Sequence, residues 1–275
     1  MAVITKITTQ KHSDDRLNIF LDDGSGEKYA FSVDQDVFIR FNLQKGKELD
    51  EFDIHEIQFG DEIKKAYNSS LEYLSYRMRS VKEVEDHLRK KEYQEEIIQD
   101  VMSKLKENKY VDDLAFAIAY VRTQWQTNGK GPVVIRRELA EKGVNEQFIQ
   151  EVLSAYRQDE QVEVAVTHAE KLLKKNHKIS TTLLKNKVEQ HLLRKGFAYQ
   201  IISIVLEDVQ FEQEDSVEMD NLRRQAEKAK RKYEKEEPYL YRQKMKQFLY
   251  RKGFSIEMIE NYLNEDNSEG DYFDA

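Results

Sequence analysis

Cysteine is absent from the 275 residues, which excludes disulfides, thiolate metal ligands and cysteine nucleophiles and is compatible with a reducing cytoplasm. Glycine and proline are scarce, at 10 and 2 residues, so little interrupts regular structure and a mostly helical chain is expected. Long apolar runs are missing too. The N-terminal "MAVITKITTQKHSDDRL" lacks the apolar core of a signal peptide. The most apolar run, "AFAIAYV" at 115–121, falls far short of the roughly 20 residues of a membrane span. These absences predict a soluble intracellular protein without a membrane partner. Apolar residues make up 39% and charged residues 35%, a balance that suits amphipathic helices each burying one narrow stripe.

Signatures of chemistry are also thin. His12, His55, His87, His168, His177 and His191 are scattered, with no i, i+4 pair and no HExxH. The acidic runs lack the glycine and glutamate spacing of an EF-hand. His87 and His191 share one register of the repeat described below and read as surface positions. Trp125 closes an apolar run and reads as a core anchor, and Tyr239, Tyr241 and Tyr250, among the basic residues near the C-terminus, read as packing residues rather than base-stacking ones. No catalytic residue, metal or cofactor is expected, and the chain reads as a binding protein rather than an enzyme.

What is there begins with charge. The net charge is −8, which argues against indiscriminate coating of DNA. Its distribution is uneven: residues 221–253 hold 12 Lys and Arg against 4 Glu, and residues 164–196 hold 8 against 2. Acid collects in "EDVQFEQEDSVEMD" at 207–220 and in a tail at 264–275. Basic faces separated by acidic connectors suit a partner met locally, either nucleic acid or an acidic protein surface.

Two regions differ in period. In residues 1–58, Leu17, Ile19 and Leu21 alternate as in a strand with one buried face, "DDGSGE" supplies a turn, and Tyr29, Phe31 and Val33 alternate on the return. With "AVITKIT" this predicts a three-stranded meander. Asp34 is placed to cap a short helix carrying Val37, Phe38 and Phe41; Gly46 ends it, and "ELDEFDIHEI" reads as helical.

From about residue 62 the chain resembles itself. Val84/Leu88, Ile135/Leu139, Val188/Leu192 and Met245/Leu249 are apolar pairs four apart. Four residues beyond each leucine comes Glu92, Gly143, Gly196 or Gly253, followed by Tyr93, Val144, Phe197 or Phe254. Apolar pairs recur downstream at Ile97/Ile98, Phe148/Ile149, Ile201/Ile202 and Met258/Ile259. The registers lie 51, 53 and 57 residues apart, an internal repeat of tandem three-helix units. The fold expected is mainly α: four units, 62–110, 112–157, 162–208 and 221–263, in an elongated array, preceded by the small α+β domain at 1–58. One unit alone buries little, so the units should stack. Glu92 in the glycine register marks the first as an end unit.

The stretch "TNGKGPVVIRREL" admits two readings. A phosphate-binding P-loop needs Gly-Lys followed by Ser or Thr and a preceding strand, and neither is present. Asn128-Gly129 fits a helix end, and Pro132 fits a first helical residue. A helix start flanked by Lys130, Arg136 and Arg137 retains the capacity to contact an anion.

The segment "DDLAFAIAYVRTQWQTNGKGPVVIRRELAEKGV" at 112–144 resembles the signature stretch of the RecX family of bacterial regulators of recombination, through Asp112-Asp113, Phe116-Ala117, Arg122, the Gly129–Pro132 turn, Ile135, Leu139 and Lys142-Gly143-Val144. The tandem three-helix organisation is that family's too, and residues 1–58 resemble the extension of its long Gram-positive members. The resemblance implies a cytoplasmic, monomeric, non-enzymatic modulator of the RecA recombinase in DNA repair, homologous recombination and the SOS response. Such a protein binds the RecA–DNA filament and depresses its ATPase, strand-exchange and co-protease activities, and single- or double-stranded DNA is a possible second partner. Short members have three units where this chain has four. The expected contact residues are Lys130, Arg136 and Arg137, then Lys171, Lys174, Lys175, Lys185 and Lys187, then Arg223, Arg224, Lys228, Lys230, Arg231 and Lys232. The alternatives are a helical-repeat DNA-binding protein that acts without RecA and a scaffold for other partners.

Overall fold

A computed structural model describes residues 1–10, 13–176, 178–211 and 215–270. His12, His177, part of the acidic connector (212–214) and the end of the acidic tail (271–275) lie outside the described residues. The chain divides into two compact units, Met1–Ala119 with Leu139–Phe148, and Tyr120–Glu138 with Ile149–Ala275.

The N-terminal region contains strands β1 (Ala2–Gln10), β2 (Ser13–Asp22) and β3 (Glu27–Asp34), the short helix α1 (Gln35–Arg40) and a two-residue strand β4 (Glu48–Leu49). The antiparallel sheet has the order β3-β2-β1-β4. Its buried face carries Ile4, Ile19, Leu21, Phe31 and Val33, closed over by Val37 and Ile57. Three details depart from the sequence reading, the first being that α1 ends at Arg40 and does not run on to Gly46. Tyr29 is 58% exposed rather than inside: a bulge between Ile19 and Phe20 skips a residue of β3. Such a slip moves the following side chains to the opposite face, where Tyr29 meets Phe20 edge-on at 5.9 Å. Residues 48 and 49, expected as helix, instead pair with Val3 and Ala2. Asp34 does cap α1, accepting from the N–H of Asp36.

Helix α2 (Glu51–Ser75) starts at an Asp50–Asp53 capping box and runs unbroken through residues 58–62. Its first turns bury Ile57 in the sheet core, and its later turns bury Ile63 and Ala66 in the first repeat. No Pro or turn sequence stands at 58–62 to stop a helix, and Gly60 lies under the Phe41 ring, 3.1 Å from where a Cβ would be. Region and repeat therefore share one helix.

The four repeats follow. Repeat 1 is the second half of α2 with α3 (Val81–Lys90) and α4 (Glu95–Glu107); repeat 2 is α5 (Asp113–Gln126), α6 (Pro132–Glu141) and α7 (Glu146–Ser154). Repeat 3 is α8 (Gln158–Lys175), α9 (Thr181–Lys195) and α10 (Tyr199–Asp208); repeat 4 is α11 (Asp215–Tyr233), α12 (Pro238–Arg251) and α13 (Ile256–Gly270). The register residues do what their spacing predicted: Val84, Leu88, Ile135, Leu139, Val188, Leu192, Met245 and Leu249 are all fully buried. Each middle helix closes in the same way. The N–H of Tyr93, Val144, Phe197 or Phe254 donates back to the carbonyl of the register leucine, at 3.1 to 3.3 Å. That closure requires a left-handed residue in between, with φ of 79°, 90° and 84° at the three glycines and 63° at Glu92.

A left-handed side chain costs about 1 kcal/mol. Glu92→Gly is therefore expected to raise the unfolding free energy by about 0.5–1 kcal/mol, less the entropy a glycine adds to the unfolded chain. A urea midpoint unchanged or lowered would show that the left-handed turn is unstrained.

Candidate functional site: repeat junctions and basic faces

The Gly-Lys-Gly turn is a docking element between repeats. The N–H of Gly131 donates to the carbonyl of Lys195 at 2.7 Å, and the N–H of Val133 donates to the carbonyl of Gly196 at 3.1 Å. Lys195 returns the contact through Nζ to the carbonyl of Asn128, 2.9 Å away. The first N–H groups of one helix and the last carbonyls of another have no partner inside their own helices. Here the start of α6 and the end of α9 satisfy one another, so the positive end of one helix dipole meets the negative end of the other.

The same arrangement recurs on either side. Ser80, the N-cap of α3, donates from Oγ to the carbonyl of Lys142 at 2.8 Å, and Lys82 Nζ reaches the carbonyl of Glu141 at 2.9 Å. Ser180, the N-cap of α9, donates from Oγ to the carbonyl of Lys252. At every junction the middle helix of one repeat begins against the Lys-Gly turn of the next. An acidic residue from the following repeat holds the first N–H in two of them: Asp113 accepts from Val81 at 2.9 Å, and Glu218 accepts from Thr181 at 3.2 Å. Part of the acidic connector is thus structural.

Close approach explains why the turns carry glycine. A Cβ at Gly196 would lie 2.6 Å from the backbone N of Val134, one at Gly253 2.6 Å from Ser180 Oγ, and one at Gly143 2.8 Å from Lys82 Cβ. Repeat 1 has no repeat before it, and there the register holds Glu92.

Charge reinforces the first junction. Glu83 receives Lys142 Nζ at 2.7 Å and Arg77 at 2.9 Å, and accepts from the N–H of Ser80 at 3.2 Å. Burial alone would raise its pKa, but these hydrogen bonds outweigh it and hold the carboxyl down at about 2.

The histidines are not surface decoration. His87 is partly buried, its ring parallel to Tyr73 with centroids 4.1 Å apart. His168 Nε2 lies 2.9 Å from the carbonyl of Gly129, and His191 Nε2 lies 3.4 Å from His168 Nδ1. Burial lowers the pKa of both, with Lys195 adding to it in each and His168 adding to it for His191. One register places His87 and His191 on the inner margin of the middle helix, where a ring packs better than a charge. Tyr241 packs on the core of repeat 4, whereas Tyr239 and Tyr250 are 75% and 62% exposed and do not.

The expected contact residues fall into two classes. Lys130 turns inward on its own repeat, its Nζ 2.6 Å from Glu138, so the anion contact expected of it is already made inside the protein. Lys187 donates to Asn176 at 3.1 Å, Lys185 lies over the ring of Phe211, Lys232 lies over Tyr233, and Arg223 pairs with Glu265 at 3.1 Å. Arg136, Arg137, Lys174 and Lys230 are exposed. Lys171 and Lys175 on α8, with Arg224, Lys228 and Arg231 on α11, are exposed and make no hydrogen bond or ion pair with a described residue. The sequence reading missed the junction residues Ser80, Glu83, Ser180 and Glu218. Among the described residues, no group of three His, Cys, Asp or Glu is placed to hold a metal, and no helix is long and apolar enough to cross a membrane.

Comparison with known proteins follows the same divisions. Residues 2–50 match the regulatory protein RecX N-terminal domain, 66–105 the first RecX three-helix domain, and 112–153 the second. Residues 159–206 and 216–263 both match the third, so the extra unit is a second copy of that domain. The regulatory protein RecX of Bacillus subtilis is 52% identical over 266 residues, covering 97% of this chain and 99% of that protein. The one from Bacillus licheniformis is 51% identical over 265 residues, covering 96% and 99%. A crystal structure of regulatory protein RecX superposes with a TM-score of 0.65 at 37% identity, over 76% of this chain and all of that one. The RecX structure from Lactobacillus salivarius gives 0.52 at 39% identity, over 56% and 99%.

Proposed function

Because the chain belongs to the RecX family of regulatory proteins, we propose that it is a negative modulator of the RecA recombinase. In this reading it binds the RecA–DNA filament in the cytoplasm as a monomer, without chemistry of its own, and lowers the filament's ATPase, recombinase and co-protease activities. The observation that supports it is that Lys171 and Lys175 on α8, with Arg224, Lys228 and Arg231 on α11, are exposed and pair with no described residue. The polar groups at the three junctions are engaged in joining repeats, which leaves these side chains free to meet a partner. A filament presents the same acidic and phosphate features many times, and modest contacts spread over several repeats then add to firm binding.

The test is RecA ATPase on single-stranded DNA with this protein titrated in. Half-inhibition is expected to need at least about tenfold more of a variant in which Lys175, Arg224, Lys228 and Arg231 are glutamate, with the gap closing as salt rises. Equal inhibition by both proteins would sink the assignment of those faces. An unchanged ATPase together with sequence-preferring duplex binding would instead support the reading as a DNA-binding protein that acts alone.

A further inference from the structure

One guanidinium in the first repeat is stacked, partly buried and unpaired. Arg79 lies in the short segment between α2 and α3, and its guanidinium carbon lies 3.9 Å from the centroid of the Tyr73 ring, the ring that also stacks on His87. Its Nε is buried and has no hydrogen-bond partner, and the side chain makes no ion pair with a described residue. The contrast with nearby Arg77, which pairs with Glu83, is sharp. Shielding the Nε of a charged guanidinium from water without an acceptor is unfavourable, while stacking fixes the plane of its fork in advance. Such a group is oriented for an anion that arrives from outside.

Its surroundings carry the same sign. Lys90 and Lys91, at the end of α3, act with Arg79 on His87, and Glu72 opposes them. Next to Arg79 in the chain, Tyr76 is 76% exposed and Met78 52%. Arg79 with Lys90 and Lys91 suits a ligand with successive negative charges, and an exposed tyrosine offers a face for a base to stack on.

We propose that this cluster is a binding site for the phosphodiester backbone of single-stranded nucleic acid, with the Arg79 fork on one phosphate, Lys90 and Lys91 on its neighbours and Tyr76 against a base. The site lies in repeat 1, apart from α8 and α11, and does not depend on the RecA reading.

The test uses the full chain and a fluorescent single-stranded oligodeoxythymidine, with binding followed by anisotropy over a range of salt. Arg79→Gln should weaken binding about five- to tenfold at low salt and reduce the log–log salt slope by about one. Arg79→Lys should keep the slope and lose part of the affinity, because it retains the charge without the planar fork. A second readout separates contact from folding. In the free protein burial lowers the His87 pKa, and the charges of Lys91 and Arg79 lower it further. Saturating oligonucleotide should raise it in the parent protein, measured by NMR of the imidazole protons, and raise it less in Arg79→Gln at equal saturation. An unchanged salt slope in Arg79→Gln, or a His87 titration indifferent to oligonucleotide, would overturn the proposal. So would displacement by polyglutamate as effective as by unlabelled oligonucleotide, which would assign the site to an acidic protein. Failure on any of these counts leaves the RecA ATPase result, carried by α8 and α11, standing.

Discussion

Alanine at position 131 is expected to lower the unfolding free energy by about 3 kcal/mol. A methyl group there would lie 2.3 Å from the carbonyl oxygen of Gly196, 2.4 Å from its carbon and 2.6 Å from the N of Phe197. All three are backbone atoms, held by the hydrogen bonds that end α9, so no side chain can swing away. Relief requires the two helix ends to part, which would stretch the bonds from Gly131 to Lys195 and from Val133 to Gly196. In a repeat protein, stability is shared between each unit and its interfaces. Loss of this interface should therefore also broaden the urea transition or split it in two. Gly24→Ala is the control: it has φ of +98° with nothing within 4 Å of the added carbon, and should cost only about 1 kcal/mol for its left-handed backbone. If the two variants lose equal stability, close approach is not what requires glycine at 131.

Gly131 also shows where the sequence could and could not be read. The helix stop at Asn128-Gly129 and the start at Pro132 follow from local chemistry, and α6 begins at Pro132 as that chemistry predicts. The repeat was legible for a similar reason. A register leucine, a left-handed residue and an apolar residue after it are the parts of one hydrogen-bonded closure, and each demands its own residue type. The junctions are another matter. Ser80 meets Lys142 across 62 residues and Ser180 meets Lys252 across 72. A serine and a backbone carbonyl leave no periodic trace at that separation. The basic stretches were visible as composition, but composition does not reveal that Lys130 pairs with Glu138 or that Arg79 stacks on Tyr73 with its Nε unsatisfied. Tyr29 was misplaced because alternation assumes an unbroken strand, and one bulge inverts it.

The second large effect is expected at Asp61, which fastens the sheet to α2. Its carboxylate is 4% exposed, accepts Arg16 at 2.8 Å and Lys65 at 2.8 Å, and takes the N–H of Asp34, at the end of β3, at 2.8 Å. Burial would raise its pKa, yet these three donors together hold it below the ordinary carboxylate value. Asp61→Ala leaves the partly buried Arg16 charge and the Asp34 N–H without an acceptor. Removing one partner of a buried pair costs about 3–5 kcal/mol. With Arg16 19% and Lys65 48% exposed, water recovers part of that, so the low end, about 3 kcal/mol, is expected. Asp61→Asn keeps an oxygen for the Asp34 N–H and should cost about 1–2 kcal/mol. The pH dependence has a definite sign. A carboxyl whose folded pKa lies below its unfolded one stabilises fully above the unfolded value, and that contribution is lost as pH falls through the folded pKa. The stability gap between the parent protein and Asp61→Ala should therefore be widest near neutrality and narrow below about pH 4. Glu83 titrates in both proteins and cancels in the difference. Denaturant titrations from pH 7 to pH 3 measure the gap. A gap that stays constant with pH would mean that Asp61 holds the sheet through packing and not through its charge.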